Sequence, residues 1–449
     1  MNWKLRSTIS ILLIAVISSL FGAVESNAIV AFSKKYDASC ALCHQEWPTL
    51  NRFGEQFKLN GYQMLKSPDG STTAKRDLKT GLFLDIGNAN PPISLSVKGG
   101  LHLTRKSSGP DGTQNSGLFS EVDGTYVDLV AAGTFAEDVA YYILAPLNSD
   151  QQAIGHAKFS NMFGSGSFAI DLGAMRLFDY DVPIYSRPIF GTWAKYDYTP
   201  FYNRLGYIGI NSHSSDTGIR LYGNPGYDKF VYELALFTGS NITEQGDNDS
   251  ANAYTMMWRL NLEALALSLR FYSNDSSIYD MNYNYSGESI AFKPNLFDTD
   301  ESLKQFILNL QYPLERLLLD FSFESVSLDF DARETTIDPV TYNLSATKIS
   351  KESFGAGLIW KTNSWFLVGF GVSYSTVGEY DYIINGTNQK ADKQKFVMYA
   401  LRTEFDPAVN MKIGLEYMID KSNEEARTRS DQTIFDKQNQ FMLQWRMTF

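Results

Sequence analysis

The chain has 449 residues, 39 Lys and Arg against 50 Asp and Glu, a formal net charge of −11 and two cysteines. An acidic balance of this kind argues against a nucleic-acid partner. Mean hydropathy is slightly negative, and no apolar run of helical length follows the first residues, which excludes a membrane protein built as a helix bundle.

Lys4 and Arg6 precede an apolar run from Ile9 to Leu20 that ends in Ser26-Asn27-Ala28. This pattern reads as a secretory signal peptide over residues 1–28, because the run is too short and too serine-rich for a strong spanning helix. The mature chain is then expected to begin near Ile29, outside the cytoplasm.

Both cysteines fall in Cys40-Ala41-Leu42-Cys43-His44. C-x-x-C-H is the attachment pattern of c-type haem. Two thiolates at this spacing add to the two vinyl groups of one haem, and the adjacent histidine takes one axial position on iron. The rival is a thioredoxin-like redox disulfide, which needs a βαβ context that the neighbouring residues lack. Cys40 and Cys43 are therefore the expected covalent anchors of a single haem c, with His44 its proximal ligand.

About fifty residues, 29–79, form the expected haem segment. So short a piece buries little core alone. Pro48 suits a first helical turn, Leu50, Phe53 and Phe57 share one face, and Asn60-Gly61 supplies a stop, so one short helix is predicted. Its apolar face is wide enough to cover one side of a haem. The other side needs cover from the remainder of the chain, so the segment is expected to plug or line the barrel described next. Met64, just beyond the turn, and His102, on the first strand, are the candidate distal iron ligands. A His/Met pair raises the potential, and water is a third choice. His156 and His213 read as surface or loop histidines.

Residues 80–449 repeat a period-two pattern. Leu265, Leu267, Leu269 and Phe271 alternate with Ser268, Arg270 and Tyr272. Leu317, Leu319, Phe321 and Phe323 alternate with Asp320, Ser322 and Glu324, and Phe366 to Tyr374 alternates with Gly369, Gly371 and Ser373. Each such run is a strand with one apolar and one polar side. Strands are predicted near 92–107, 122–135, 139–148, 154–163, 167–178, 216–224, 228–238, 252–262, 265–273, 302–312, 315–328, 352–361, 365–376, 395–405, 408–420 and 437–449, about sixteen in all.

A soluble sandwich alternates too, so three further features decide. Connections alternate between short turns, as near Glu263–Ala264 and Pro313–Leu314, and long polar loops, as in Asn274–Asp300 and Asp329–Ser350. The polar side carries isolated charges, Arg270, Glu324, Lys412 and Arg446, which suits a hydrated lumen better than a dry core. An even strand count returns both ends of the barrel to the periplasmic side. Asp181 to His213, interrupted by Pro183, Pro188 and Pro200, is either a loop folded into the pore or a surface loop. The fold class is thus mainly β, a transmembrane antiparallel barrel in outer-membrane lipid. The last strand sets Phe441, Leu443, Trp445, Met447 and Phe449 on one face, and an aromatic last residue resembles the terminal strand of bacterial outer-membrane barrels.

The stretch Tyr36-x-x-x-Cys40-x-x-Cys43-His44-x-x-x-Pro48-x-Leu50-Asn51-x-Phe53-Gly54-x-x-Phe57-x-x-Asn60-Gly61-Tyr62 closely resembles the N-terminal signature of the fused cytochrome-porins of the bacterial outer membrane, whose best-known members are iron oxidases. The resemblance implies a monohaem protein that passes electrons from extracellular Fe(II) to a periplasmic cytochrome c or similar carrier, an iron(II) oxidase in effect. Acidic loop clusters at Glu244–Asp249 and Asp298–Glu301 offer hard oxygen ligands for Fe(II), though solvated loops look the same. Two other readings stand beside this one: outward electron delivery to an extracellular acceptor, and a solute porin with a haem-bearing plug. Barrels of porin size are often trimers, so a homotrimer is a candidate assembly.

Overall fold

The structure is a computed structural model that describes residues 40–46, 49–62, 93–106, 117–136, 138–148, 153–160, 162, 167–177, 180, 215–225, 229–238, 253–262, 265–274, 282–285, 288–291, 301–330, 333–337, 340–344, 347–363, 365–384, 387–391, 393–408, 411–421 and 438–448. The signal-peptide region, Met64, His213, the Asp181–His213 stretch, the Glu244–Asp249 and Asp298–Asp300 clusters and Phe449 lie outside the described residues.

Sixteen antiparallel strands close into one barrel. They are β1 (Ile93–Lys106), β2 (Gly117–Ala136), β3 (Val139–Pro146), β4 (Ile154–Phe159), β5 (Ala169–Arg176), β6 (Ser215–Gly223), β7 (Phe230–Phe237) and β8 (Ala253–Leu262), then β9 (Leu265–Asn274), β10 (Glu301–Leu314), β11 (Leu317–Phe330), β12 (Thr347–Asn363), β13 (Phe366–Val377), β14 (Gln394–Ala408), β15 (Met411–Asp420) and β16 (Gln438–Thr448). Each pairs with its neighbours in sequence, and β16 closes the ring on β1 through Leu443↔Leu101 and Trp445↔Gly99. Closure removes the sheet edges, so strand N–H and C=O groups find partners without water.

All sixteen expected strands are present. Their alternation fixes the two faces: along β8, Tyr254, Trp258, Leu260 and Leu262 are exposed while Ala253, Thr255, Met257, Arg259 and Asn261 are buried. On the outer surface Trp258, Trp360 and Trp365 lie toward the turn side, and Tyr254, Tyr374, Tyr399 and Tyr417 toward the loop side. Aromatic rings flanking an aliphatic band are what two membrane interfaces select. No helix among the described residues is long and apolar enough to cross a membrane, which leaves crossing to the strands.

Two of the long loops carry more order than their polar sequences suggest. Hairpins from the β11–β12 and β13–β14 connections (Arg333–Ile337 with Val340–Leu344, Tyr380–Ile384 with Thr387–Ala391) join into one four-stranded sheet through Tyr342↔Ile384. A further hairpin pairs Asn282–Tyr285 with Glu288–Ala291 between β9 and β10.

The N-terminal segment contains a single helical turn, α1 (Cys40–Cys43), and a helix, α2 (Arg52–Leu59), with a small ladder between them that pairs His44 with Leu50. The helix begins at Arg52, and Pro48, expected in its first turn, lies outside the described residues. Asn51 is the N-cap, its side-chain oxygen accepting from the Gly54 amide at 2.9 Å, because Asn satisfies an unpaired first-turn donor where Pro would only tolerate one. At the other end the Tyr62 amide donates to Phe57 and the Gly61 amide to Lys58, a Schellman closure that requires Gly61 at φ +66°. The expected stop at Asn60-Gly61 is therefore present.

Candidate functional site

The Cys40–His44 turn is fastened to α2 at three points. The Asn51 amide donates to the Cys43 carbonyl at 2.9 Å, and Asn51 Nδ2 donates to the Leu42 carbonyl at 3.0 Å. Gly54 lies against the same carbonyl, where an added Cβ would sit 2.0 Å from Cys43 O. The turn therefore moves with the helix. Cys43 is half-buried, Leu42 is exposed, and Leu50 and Phe53 are half-buried beside them. For Cys40 and His44 the backbone alone is described.

The helix lies on the inner face of the barrel, at the turn-side ends of β3 to β8. Phe57 packs with Tyr62 and Ala140, and Leu59 with Ala169, Tyr180, Tyr222, Val231 and Met257. Gly61 approaches Ser160 so closely that a Cβ would lie 2.6 Å from its hydroxyl. Polar contacts pin the exposed edge: Glu55 pairs with Arg259, and Asn224 donates to Gln56. Of the residues expected to cover one side of a haem, Phe57 is spent on the barrel wall, while Leu50 pairs with His44 in the small ladder.

Beneath the helix runs a row of buried charges of alternating sign. Lys158 on β4 meets Asp171 on β5 at 3.1 Å, and Asp171 meets Arg220 on β6 at 3.6 Å. Arg220 meets Glu233 on β7 at 3.7 Å, and Glu233 meets Arg270 on β9 at 2.8 Å. Tyr180, from the start of the β5–β6 connection, turns back into the lumen. It accepts from Lys158, donates to Asp171 at 3.0 Å and stacks on Tyr222 with ring centroids 4.5 Å apart. Burial first, and the neighbouring Asp171 carboxylate second, hold the Tyr180 phenol well above its ordinary 10.0. Lys158 also lies over the rings of Tyr222, Tyr180 and Tyr62 at 4.9, 5.0 and 5.6 Å.

Two expectations change here. The inward charges are inward but are neither isolated nor bathed in water: Arg270 is 1% exposed and bonded to Glu233, Glu324 pairs with Lys351 at 2.9 Å, and Lys412 pairs with Glu404 and Asp406. A charge this buried needs a partner, and the partner comes from a neighbouring strand. His156, expected on the surface or in a loop, is on β4, 6% exposed and inward, with its ring 5.6 Å from Tyr142. The strand Ile154 to Phe159 is only six residues long, too short for its alternation to place the histidine from sequence.

His102 sits on β1 at a register position between Glu121 of β2 and Met442 of β16. Its backbone position shares the sheet face of Met442, which is buried inside. Among the described residues no group of three or more His, Cys, Asp or Glu side chains is arranged to hold a metal ion.

No protein-family model and no curated protein matches the sequence. Solved structures do resemble the barrel. OmpT of Vibrio cholerae aligns at 11% identity over 80% of this chain and 97% of its own, with a TM-score of 0.50. An in-vitro folded, trimer form of OmpT aligns at 12% identity over 80% and 99%, also with a TM-score of 0.50. An anion-selective porin from Comamonas acidovorans gives 11% identity, 80% and 99% coverage and the same score. Identity this low speaks for the fold alone. The chain is a porin-like, sixteen-stranded barrel of the outer-membrane type, with a C-x-x-C-H turn and a short helix seated inside it.

Proposed function

We propose that this chain is an outer-membrane electron-transfer protein of the fused monohaem cytochrome-porin kind, carrying electrons from extracellular Fe(II) to a periplasmic carrier such as a cytochrome c. The observation that carries the reading is the C-x-x-C-H turn bonded through Asn51 to a helix docked on the lumen wall of a closed barrel. A redox centre at the periplasmic mouth, rather than on a free domain, shortens the gap an electron must cross.

The donor set fits a c-type haem. Cys40 and Cys43 share one helical turn, and His44 follows at once. Leu42, next to Cys43 and exposed, and Leu50, paired with His44, supply apolar surface at the turn. Haem c, if bound there, would supply one-electron exchange between its ferric and ferrous states. Cys40 and Cys43 are the residues that would tether it and His44 the residue that would ligate the iron, with Met64, His102 or water the candidates for the remaining ligand. Glu55 with Arg259, and Gln56 with Asn224, keep the helix on the wall. Each Fe(II) loses one electron and leaves as Fe(III) outside the cell, where its precipitation does no harm, and the carrier gains that electron. The trimer form of OmpT supports a homotrimer as the assembly.

Anoxic stopped-flow mixing of the purified holoprotein with Fe(II) tests the reading. Reduction of the haem band, absent from Cys43→Ala, is the expected result. A haem that Fe(II) leaves oxidised, in a protein that conducts ions freely in liposomes, overturns it in favour of a solute porin. A haem that instead passes electrons from a reduced periplasmic carrier to an outside acceptor reverses the direction.

A further inference from the structure

The outer surface of the barrel is not uniform. Strands β3 to β7 have eight, six, eight, nine and eight residues, whereas β10 to β14 have at least twelve each. A strand tilted by about 45° needs about nine to eleven residues to cross a bilayer. At about 3.3 Å per residue and that tilt, the six residues of β4 rise only about 14 Å, against an apolar band about 25 Å tall. Ala153 and Ser160, on either side of it, are already outside the strand. Hydrocarbon laid against such strand ends would meet backbone outside the ladder, which lipid does not tolerate. Lipid alone is therefore a poor cover for this wall.

Its side chains agree. Ile143 of β3, Leu172 of β5, Ile219 of β6, and Leu234 and Leu236 of β7 point outward and are 40–64% exposed. The row of loop-side tyrosines found elsewhere on the outer surface stops at Tyr254 of β8, whose cross-strand neighbour on β7 is Leu236. Past it, the loop-side outward positions of β6, β5, β4 and β3 are Thr217, Ala174, Gly155 and Ala145. Trp and Tyr gather where lipid meets water, and here small residues stand in their place. The exposed aliphatics form a ridge, and the small residues beside them a hollow. The inner side of the same wall is held by the charge row and by α2, so a contact on its outer side orders little that is not ordered already.

The occupant that fits is a second copy of this chain. Copies in one membrane share one orientation, so each displays the same short wall at the same depth, and a rotation axis normal to the membrane buries all of them together. Five strands about 4.8 Å apart and about 25 Å long make a flat patch of about 600 Å², more with side chains counted, which is of the order of the ~800 Å² per partner of a stable interface. We propose that the outer face of β3 to β7 is the contact between copies in the homotrimer, the aliphatic ridge of one copy seated against the small-residue hollow of the next. The inference rests on the homotrimer named above and is independent of the haem.

The test puts tryptophan into the hollow. An added Cβ at Gly155 meets nothing nearer than Ile143 Cγ1 at 3.9 Å, so the chain itself has room for a side chain there. Lipid accepts an indole, whereas a packed neighbour is overpacked by it. Native mass spectrometry of the detergent-solubilised holoprotein compares wild type with Gly155→Trp, Ala174→Trp and, on the far wall, Leu358→Trp. Heat-modifiable gel migration confirms a folded barrel in each. Wild type and Leu358→Trp are expected to be trimers, and the two hollow variants to associate about tenfold or more weakly. A second measurement needs no substitution: wild type in liposomes is labelled with an apolar diazirine dissolved in the lipid, and Leu172 and Ile219 are expected to react several-fold less than Leu358. Trimeric wild type with Leu172 and Ile219 labelled as heavily as Leu358, and with both hollow variants still trimeric, overturns the proposal and leaves the homotrimer standing. Monomeric wild type overturns both. Dissociation of Leu358→Trp as readily as the hollow variants removes any distinction between the walls and also overturns the proposal. Where the hollow variants do not fold, the labelling of wild type decides.

Discussion

The wall that carries the helix and the wall across the lumen from it solve the same problem differently. Strands β3 to β7 are short, six to nine residues, and their inward positions hold bulky groups, Tyr142, Tyr222, Val231 and Phe237, between charges. Strands β10 to β14 run for twelve to seventeen residues, and the middle inward positions of β12 and β13 are Ser353, Gly355, Gly357, Gly369, Gly371, Ser373 and Ser375, with Lys351, Ile359, Leu367 and Val377 nearer their ends. On the first wall charges are covered by aromatic rings and the helix. On the second they lie flat over glycine: a Cβ on Gly357 would be 2.8 Å from the Asp320 carboxylate, and one on Gly414 of β15 2.6 Å from an Arg402 guanidinium nitrogen. One wall is a docking platform, and the other is thin where it lines the lumen.

Removing one charge from the platform is the harshest way to test this contrast. Glu233 is fully buried between Arg220 and Arg270. Glu233→Gln removes the carboxylate shared by two guanidiniums, leaving Arg220 with Asp171, and is expected to cost about 3–5 kcal/mol, the range for breaking a buried pair, read as a lower urea midpoint for the barrel in micelles. Glu324→Gln on the opposite wall removes the carboxylate from one ammonium, that of Lys351, which is 6% exposed, so its loss should be the smaller. Equal losses would show that the two walls are energetically alike.

The contact between helix and haem turn ranks next. Gly54→Ala drives a Cβ into the Cys43 carbonyl, which is backbone and has little freedom to yield. An overpacking cost of about 1–3 kcal/mol is expected, falling on the N-terminal segment alone. Protease should then cut the segment from a barrel that still migrates as folded. A segment as resistant as wild type would break the claim that turn and helix move as one body.

Much of this architecture was legible in the sequence because strand alternation is local. Phe366 to Tyr374 states its two faces without help from any other strand, and the same holds for Met411 to Tyr417. What stayed hidden depends on register. Nothing along the chain says that Arg270 will meet Glu233, 37 residues away, or that Arg446 will sit opposite Lys98. The helix shows the same divide. Its stop at Asn60-Gly61 was readable, whereas its start at Asn51 hinged on a cap competing with Pro48, and Leu59 became core only because Tyr180 and Tyr222 were there to receive it. Nothing along the chain says that Gly54 will meet the Cys43 carbonyl.

A milder change probes the thin wall. Gly414→Ala places a Cβ against the far end of the Arg402 side chain, which swings aside more easily than backbone. Arg402 bonds Glu416 and Gln444 from that position, so about 1 kcal/mol of urea stability should be lost, near the lower end for overpacking. A loss matching that of Gly54→Ala would mean the second wall is as tightly specified as the helix contact.

The smallest effect concerns Tyr180, the group by which the β5–β6 connection joins the platform. Its folded-state phenol is raised above 10.0 by burial and by Asp171, so the folded barrel keeps this proton where the unfolded chain releases it. The contribution is complete below pH 10 and is lost as pH climbs above it, at no more than about 1.4 kcal/mol per pH unit for one group. Urea midpoints measured on either side of pH 10 should fall less steeply in Tyr180→Phe than in wild type, although Tyr180→Phe starts lower for want of its bond to Asp171. Identical slopes would mean that the Tyr180 hydroxyl is reached by water, and that the platform is open on the side where the loop enters the lumen.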